Sequence, residues 1–272
     1  MKASLRKARD PEKGLKDWTA CNRKANYYSW TMAPGDRIDP ASSPQRVYPI
    51  RGLLGYFHLL YDEPRREAVI IDTGLVGEMR KLERVCERLG LGWRDIRAIL
   101  LTHGHLDHTG HLEQLKRLTG APILAHPAEQ RHIDGNFPYR GASRVCGALE
   151  ACGRALLRYR PAAIDQPLHA GMELPYWGGL RVIHLPGHTQ GHCGFYSAAH
   201  DLLFSGDLFA SYGFLVHLPP AILNSCPEYF DASLNKVKDL SPSRIIPNHY
   251  FGFDGKVHRR RFDSLLARRR RR

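Results

Sequence analysis

The segment LTHGHLDHTGH, residues 101–111, concentrates side chains that bind metals, because four histidines and one aspartate fall within nine positions. It follows an apolar run of the type that forms a buried strand. His103 and His105 project to the same side of an extended chain, so both can contact one ion. Asp107 and His108 come after the chain has turned and can reach a second ion. This spacing predicts a metal site.

Further ligand-type residues follow other short strand-like runs. RVIHLPG leads to His188, LLFSG leads to Asp207 and RIIPN leads to His249. The carboxyl ends of adjacent strands meet at one edge of a sheet, where α/β proteins tend to bind ligands. Imidazole and carboxylate groups gathered there would be costly to bury without a cation, and they suit zinc, and also iron or manganese. The candidate metal ligands are His103, His105, Asp107, His108, His188, Asp207 and His249.

The elements that must position these residues are predicted from the apolar pattern. Between residues 47 and 126 a strand hairpin is followed by alternating helices and strands, in the order ββ-α-β-α-β. Three strands in the style of a meander, a helix from Glu228 to Leu240 and a last strand in SPSRIIPNHYF come next. The segment VHRRRFDSLLA fits a short amphipathic helix. This order predicts a layered α/β fold.

The net charge of +13 belongs to the two ends of the chain. Residues 25–258 hold 24 basic and 23 acidic side chains, so the body of the protein shows no sign of a basic groove. We predict an N-terminal extension over residues 1–45, a catalytic domain over 46–256 with a helical insertion at about 127–165, and a basic, solvated C-terminal tail over 257–272. The tail could bind a polyanion electrostatically.

Composition also limits the compartment and the partners. No apolar run approaches the roughly 20 residues of a membrane span, and the N-terminus has no apolar stretch of the secretory type. The six cysteines form no C-x-x-C pair and are interpreted as reduced thiols. We therefore expect a cytoplasmic protein that acts on a small molecule, does not bind membranes and could form a homodimer.

The motif HGHLDH resembles the H-x-H-x-D-H signature of the metallo-β-lactamase-fold hydrolases. The family's other motifs appear in the same order, as IDTG, PGHTQGH, SGD and PNH. The resemblance covers residues 47–255. It implies an αββα sandwich, in which two mixed β-sheets pack face to face and helices flank them.

The resemblance also implies roles for individual residues. His103, His105 and His188 would hold one divalent metal ion, most commonly zinc, and the second ion would be held by Asp107, His108 and His249. Asp207 would bridge the two ions, and Asp72 would support the ligand loop from behind. The ions would share a water molecule, which attacks as hydroxide on a carbonyl or phosphoryl centre. Asp107 would also shuttle the proton to the leaving group.

An aspartate at the SGD position, here Asp207, is similar to the glyoxalase-II-like, lactonase-like and phosphodiesterase-like branches of the family. Antibiotic-degrading β-lactamases usually have cysteine or serine there. Glyoxalase-II-type thioesterases read T-H-H-H-x-D-H-x-G-G, whereas this chain has Gly104 and His111 at two of those positions. We expect hydrolysis of small carboxylic ester, lactone or thioester substrates, with weak β-lactam turnover as a side activity. The alternative is a phosphodiesterase or nucleic-acid-processing hydrolase of the same fold.

Several aromatic residues are candidates for the substrate site. Tyr212 lies five residues past Asp207 and could polarise a carbonyl group or simply pack in a loop. The insertion and the N-terminal extension are expected to wall the pocket, because long loops over a ligand-bearing edge usually set specificity. The candidate wall residues are Phe137, Tyr139, Trp177 and Phe209.

Overall fold

The computed structural model describes residues 44–270, and two mixed β-sheets dominate this part of the chain. The first sheet has the strand order β1-β2-β3-β4-β5-β6. In this sheet β2 runs antiparallel to both of its neighbours, β1 and β3, and β3 to β6 run parallel to one another. The strands are β1 (Gln45–Arg51), β2 (Tyr56–Asp62), β3 (Glu67–Ile71), β4 (Ile96–Leu100), β5 (Ile123–Ala125) and β6 (Gln166–Pro167).

The second sheet has the strand order β13-β10-β9-β8-β7, and a small hairpin, β11-β12, lies outside it. Only β13 and β10 are parallel in this sheet. Its strands are β7 (Glu173–Leu174), β8 (Leu180–His184), β9 (Cys193–Ser197), β10 (Leu202–Gly206) and β13 (Arg244–Pro247), and the hairpin comprises β11 (Ala210–Tyr212) and β12 (Leu215–His217).

The helices of the described residues lie in the connections between strands and after the last strand. They are α1 (Met79–Leu89), α2 (Leu106–Thr109), α3 (Leu112–Thr119), α4 (Gln130–Ile133), α5 (Arg144–Leu156), α6 (Phe230–Leu240) and α7 (Gly255–Arg269). In α1 and α3 the buried residues recur at helical spacing, as Leu82 with Val85 and Leu112 with Leu115. None of the helices within residues 44–270 is long and apolar enough to cross a membrane.

Three apolar layers explain why the strands are apolar on both faces. In β3, Ala68 and Ile70 pack in a layer with α1 and α3, whereas Val69 and Ile71 pack in a layer between the two sheets. The third layer lies between the second sheet and helices α6 and α7. Successive strand residues point to opposite faces, so a strand with helices on one side and a sheet on the other must be apolar throughout. The predicted αββα sandwich is confirmed.

The structure corrects the sequence prediction for the start of this region. The predicted strand hairpin is a three-stranded unit, because Gln45–Arg51 pairs along its whole length with β2. Pro49 obscured this strand, since proline cannot donate to a ladder and is tolerated at a sheet edge. Residues 1–43 of the predicted extension lie outside the described residues, as does Cys21. The other five cysteines are free thiols.

The basic C-terminal segment is helical up to Arg269 and belongs to the folded body. Phe262 and Leu265 of α7 are buried in the third apolar layer. Arginines on the same helix bond to the body, as Arg268 does to the carbonyl oxygen of Val216 and Arg261 to Ser211 Oγ. The prediction of an amphipathic helix within this segment is therefore correct. The prediction of a solvated tail is wrong for residues 257–269, because they form a helix that packs on the body of the protein.

Candidate metal centre

The ligand-bearing segments meet where the strands of both sheets end. His103 and His105 follow β4, and the chain then enters the single-turn helix α2, which carries Asp107 and His108. The other three candidates follow β8, β10 and β13, which belong to the second sheet. The metal centre thus lies at the same edge of both sheets, as the positions of the motifs after the strands predict.

The first cluster consists of three buried histidines, His103, His105 and His188, each of which brings one ring nitrogen within 4.8 Å of the others. His105 Nδ1 and His188 Nε2 lie 2.9 Å apart. The Nε2 atom of His103 is buried and has no hydrogen-bond partner. Buried imidazole nitrogens without a partner are costly, so this geometry calls for a cation that accepts their lone pairs.

A second cluster of nitrogen and oxygen donors is formed by Asp107, His108 and His249. Asp207 lies between the two clusters. Its Oδ2 atom is 3.1 Å from His249 Nε2 and 3.6 Å from His188 Nε2. Its Oδ1 atom is 3.5 Å from His108 Nε2 and is otherwise buried without a hydrogen-bond partner. One carboxylate therefore faces both groups of histidines.

Three of the histidines are oriented by a hydrogen bond at the ring nitrogen that faces away from the site. His108 Nδ1 donates to Asp72 Oδ2 at 3.0 Å, and His188 Nδ1 donates to Asn224 Oδ1 at 2.9 Å. His249 Nδ1 donates to the carbonyl oxygen of Leu54 at 3.1 Å. Each bond engages Nδ1 and directs Nε2 into the site, which is the usual arrangement around metal-binding histidines.

Asp72 is fully buried and bonds to three separate segments. Its carboxylate accepts hydrogen bonds from the backbone N–H and the hydroxyl of Thr102, from His108 and from Asn248 Nδ2. Its backbone has φ +63°, in the left-handed region that few residues other than glycine, asparagine and aspartate adopt. The sequence predicted a supporting role for Asp72, and the structure joins it to the ends of β4 and β13 and to α2.

The protonation equilibria of the cluster reflect burial and the two carboxylates. Burial and the neighbouring His108 hold the pKa of His103 well below its ordinary value, and burial lowers the pKa of His105 to about 4. Burial alone would also lower the pKa of His108 and His249, but the charges of Asp207 and Asp107 outweigh it and raise both pKa values.

This set of donors fits divalent metal ions. Five buried or nearly buried imidazole rings and two carboxylates converge, and three of their atoms are buried without a hydrogen-bond partner, namely His103 Nε2, His105 Nε2 and Asp207 Oδ1. Such ligands suit zinc, iron and manganese. Among residues 44–270, these side chains form the groups in which three or more metal-ligand atoms lie close together.

Sequence reasoning missed residues that hold the ligand loops together. Glu129 is fully buried, and its two oxygens accept hydrogen bonds from Gly104 N and Gly191 N, both at 2.7 Å. It thereby joins the loop of His103 and His105 to the loop after His188. Asn224 was also missed. Neither Glu129 nor Asn224 belongs to a recognisable motif. The sequence shows only a single carboxylate and a single amide, with no pattern that distinguishes them from other polar residues.

His192 and His111 have supporting positions. The sequence predicted a supporting or structural role for His192, and for His111 either a place in the pocket or a surface position at the start of a helix. His192 Nε2 accepts a hydrogen bond from the backbone N–H of Asp207 at 2.9 Å, which fixes the carboxylate between the clusters. His111 Nε2 donates to Glu78 Oε2 at 3.1 Å, and Glu78 accepts the N–H of Leu53. His111 therefore supports the segment whose Leu54 carbonyl orients His249.

A cavity of about 590 Å³ opens directly onto the metal-ligand residues. Tyr212 lines it together with Asp207 and His249, and burial raises the pKa of the Tyr212 phenol. The predicted aromatic wall is wrong. Trp177 lies in the layer between the sheets and Phe209 packs against Phe262, whereas Phe137 and Tyr139 surround His132 behind the site.

Comparison with known proteins assigns this centre to a family. A profile of the metallo-beta-lactamase superfamily matches residues 57–249. A hydroxyacylglutathione hydrolase of Bdellovibrio bacteriovorus is 27% identical over 200 residues, which cover 70% of this chain and 61% of that protein.

Two solved structures agree with this assignment. A metallo-beta-lactamase family protein of Thermus thermophilus superposes with a TM-score of 0.65 at 26% identity, covering 84% of this chain and 79% of the other. The protein TTHA1623 in a di-iron-bound form has a TM-score of 0.57 at 31% identity and covers 75% and 92% of the two chains. The chain belongs to the metallo-beta-lactamase superfamily.

Proposed function

We propose that this protein is a dinuclear metal-dependent hydrolase of small carboxylic ester, lactone or thioester substrates. Membership of the superfamily supports a metal-dependent hydrolase. The observation that carries the proposal is Asp207, which lines the cavity and whose carboxylate lies within 3.6 Å of a histidine from each cluster, His188 and His249. A carboxylate in that position would contribute a negative charge and a ligand oxygen to divalent cations held by the two clusters, as the carboxylates of two-metal hydrolases do.

The donor sets suggest how two ions would be held. His103, His105 and His188 would bind one ion, and Asp107, His108 and His249 would bind the other, with Asp207 between them. When bound, the ions would lower the pKa of a water molecule and polarise the scissile carbonyl. Relatives and neighbours include a di-iron form, and zinc is equally suited to these ligands.

Asp107 is the candidate for proton transfer. Its Oδ2 atom lies 3.5 Å from His249 Nε2 and 3.6 Å from His108 Nε2, at the edge of the cavity. Burial disfavours its ionisation, but His108 and His249 hold its pKa below the usual range, so the carboxylate form is present. It would accept the proton of the attacking water and deliver it to the leaving oxygen or sulfur.

Tyr212 is proposed to bind the substrate carbonyl. It lines the cavity next to Asp207 and His249, and its phenol interacts with His249. Burial raises the pKa of this phenol, so it stays protonated near neutral pH and can donate a hydrogen bond to a carbonyl oxygen. The negative charge that develops on that oxygen during attack strengthens the bond.

The test uses full-length protein reconstituted with zinc or manganese and assayed for acid release. The substrates are an acyl-homoserine lactone, a plain γ-lactone, an acyl-glutathione thioester and an aryl ester, with bis(p-nitrophenyl) phosphate as a phosphodiester. We expect turnover of at least one carboxylic substrate, and losses of about a hundredfold or more for Asp107→Ala and His108→Ala. Asp239→Ala, on the exposed side of α6, is the matched control.

Two outcomes would contradict the proposal. Turnover of the phosphodiester alone, by protein shown to hold its metals, would replace carboxylic substrates with phosphodiesters. Full activity of Asp107→Ala would exclude the assigned proton transfer. Tyr212→Phe separates the role of the phenol, because loss of a hydrogen bond made mainly in the transition state lowers kcat, whereas loss of a packing residue leaves kcat unchanged.

A further inference from the structure

The cavity above the metal ligands has an apolar wall that the proposed reaction by itself does not require. Away from the ligand residues the wall is formed mainly by leucines, contributed by the segment between β1 and β2 and by helix α5. Of these, Leu53 is 70% exposed, Leu149 is 61% exposed and Leu156 is 80% exposed. Single exposed leucines are common, but leucines that face one cavity next to reactive groups indicate a binding site.

Helix α5 presents a continuous stripe of side chains to this cavity. Cys146, Leu149, Gly153 and Leu156 all line it, and their spacing places them on one face of the helix. A Cβ atom at Gly153 would lie only 2.8 Å from Leu106 Cδ2, so the absence of a side chain lets α5 approach α2 closely. Leu106 precedes Asp107, and the apolar stripe therefore leads to the proposed reaction centre.

Away from the metal ligands, the cavity offers no charge that complements an anionic group of the substrate. Among the described residues that line it, none is lysine or arginine. The acidic groups are the metal ligands Asp107 and Asp207, and Glu150. Glu150 is already engaged, because its oxygens accept hydrogen bonds from the N–H of Leu106 at 2.7 Å and from the Tyr139 hydroxyl at 2.6 Å. An uncharged, apolar group is the complementary occupant.

We propose that the substrate carries an apolar acyl or alkyl chain that lies along the leucine wall between α5 and the segment 52–55, with its carbonyl group at the metal ligands. This inference rests on the proposed hydrolase function and names its substrate class. A second cavity shares Leu75, Val76 and Leu157 with the first, and its lining includes Arg117, Arg158 and Arg160. A peptide-like anionic group such as glutathione would need the arginines of this second cavity. The experiment below therefore includes a glutathione thioester.

The first experiment measures kcat/KM of the zinc- or manganese-loaded protein for p-nitrophenyl acetate, butyrate, hexanoate and octanoate, and for an acyl-glutathione thioester with a two-carbon acyl group. Burial of each added methylene is expected to raise kcat/KM about threefold until the cavity is filled. Equal rates for all chain lengths, or a glutathione thioester that exceeds the octanoate, would overturn the inference.

Leu149→Gln tests the wall directly, and Val145→Gln is its matched control. Val145 lies on the same helix and is 48% exposed, but it does not line the cavity. Because both side chains are exposed, neither substitution should affect folding. We expect Leu149→Gln to lower the octanoate-to-acetate ratio of kcat/KM about tenfold and Val145→Gln to leave it unchanged. An unchanged ratio in Leu149→Gln would overturn the inference.

A binding measurement separates this inference from the proposed function. Octanamide and acetamide, which carry no ester, are titrated into metal-free protein by calorimetry. Octanamide is expected to bind at least tenfold more tightly, with a negative heat-capacity change, and Leu149→Gln should weaken it about tenfold. Octanamide binding without hydrolysis of any ester by loaded protein would retain the chain site and reject the hydrolase. Ester hydrolysis without octanamide binding would retain the hydrolase function and reject the chain site.

Discussion

Asp72 Oδ2 lies 3.0 Å from His108 Nδ1, and this contact determines which nitrogen of the histidine faces the metal centre. The same oxygen accepts hydrogen bonds from the Thr102 hydroxyl and from Asn248. Since Thr102 follows β4 and Asn248 follows β13, one carboxylate atom ties segments from both sheets to a ligand histidine. The position of His108 therefore depends on both halves of the fold.

Asp72→Asn is expected to weaken metal binding about tenfold to a hundredfold. Asparagine tolerates φ +63°, so the substitution changes the hydrogen bonds without adding backbone strain. The NH₂ group of the new asparagine must face at least one of the hydrogen-bond donors that now bond to the Asp72 carboxylate. Competition with a zinc chelator measures the affinity, and Asp239→Asn is the exposed control. An affinity equal to that of the unmodified protein would exclude Asp72 from orienting the ligands.

Gly104→Ala should distort the ligand loop. A Cβ atom at this position would lie 2.6 Å from His132 Cβ and 2.8 Å from the carbonyl oxygen of Glu129. Such an overpacked site typically costs about 1–3 kcal/mol, and the loop that carries His103 and His105 would move. Urea unfolding and zinc content measure both effects. Gly92→Ala is the control, because the nearest atom to its Cβ would be 3.7 Å away; equal stability of the two variants would contradict the prediction.

Helix α7 is expected to be essential for stability. Phe262 is fully buried and packs against Phe209, with ring centroids 5.3 Å apart. Phe262→Ala should lower the free energy of unfolding by about 3–5 kcal/mol. Arg260→Gln, at an exposed position of the same helix, should change it by less than about 0.5 kcal/mol. Thermal and urea unfolding compare the two variants, and a small effect at Phe262 would favour a loosely attached tail.

His258 should make stability depend on pH. Burial lowers the pKa of His258 to about 4, and the ring accepts from Ser211 Oγ while its Nε2 donates to the carbonyl oxygen of Gly252. Below pH 6.5 the unfolded chain binds a proton at this histidine before the folded chain does. The contribution to stability is therefore complete above pH 6.5 and is lost as the pH falls towards 4, by about 1 kcal/mol per pH unit.

The matched variant for this effect is His258→Gln, whose amide can form both hydrogen bonds and does not titrate. The urea midpoint of the unmodified protein should fall more steeply than that of the variant between pH 6.5 and pH 4.5. Other buried histidines titrate in both proteins, so the difference between the two curves isolates His258. Parallel curves would show that this histidine is protonated equally in the folded and unfolded chain.

The sequence could predict that the candidate ligands lie close together, because each of them follows a strand. The regular geometry of strands brings their ends together, and the order of the motifs matched a known family. The supporting residues Glu129 and Asn224 were missed because their bonds join segments far apart in sequence, such as Gly104 and Gly191. Local spacing contains no information about such pairs.

The substrate wall could not be predicted for a related reason. The segment GALEACGRALLRYR, residues 147–160, indicates a helix within the insertion, but it does not say which side of that helix faces the metal centre. Aromatic side chains were the expected wall, yet Trp177 and Phe209 fill apolar layers of the core. The zinc preference, the cytoplasmic location and the homodimer stay predictions, as does the domain division.

The position of α7 at the outer face of the second sheet also bears on how the protein is made. Leu203 and Ile245 are covered in part by Phe262 and Leu265. These two helix residues leave the ribosome after all the described strands. Until then the part of this face that α6 does not cover is exposed to solvent and to other nascent chains. Chaperone demand should therefore concentrate late in synthesis, and destabilising changes in α7 should reduce the yield of soluble protein more than equal changes in α1.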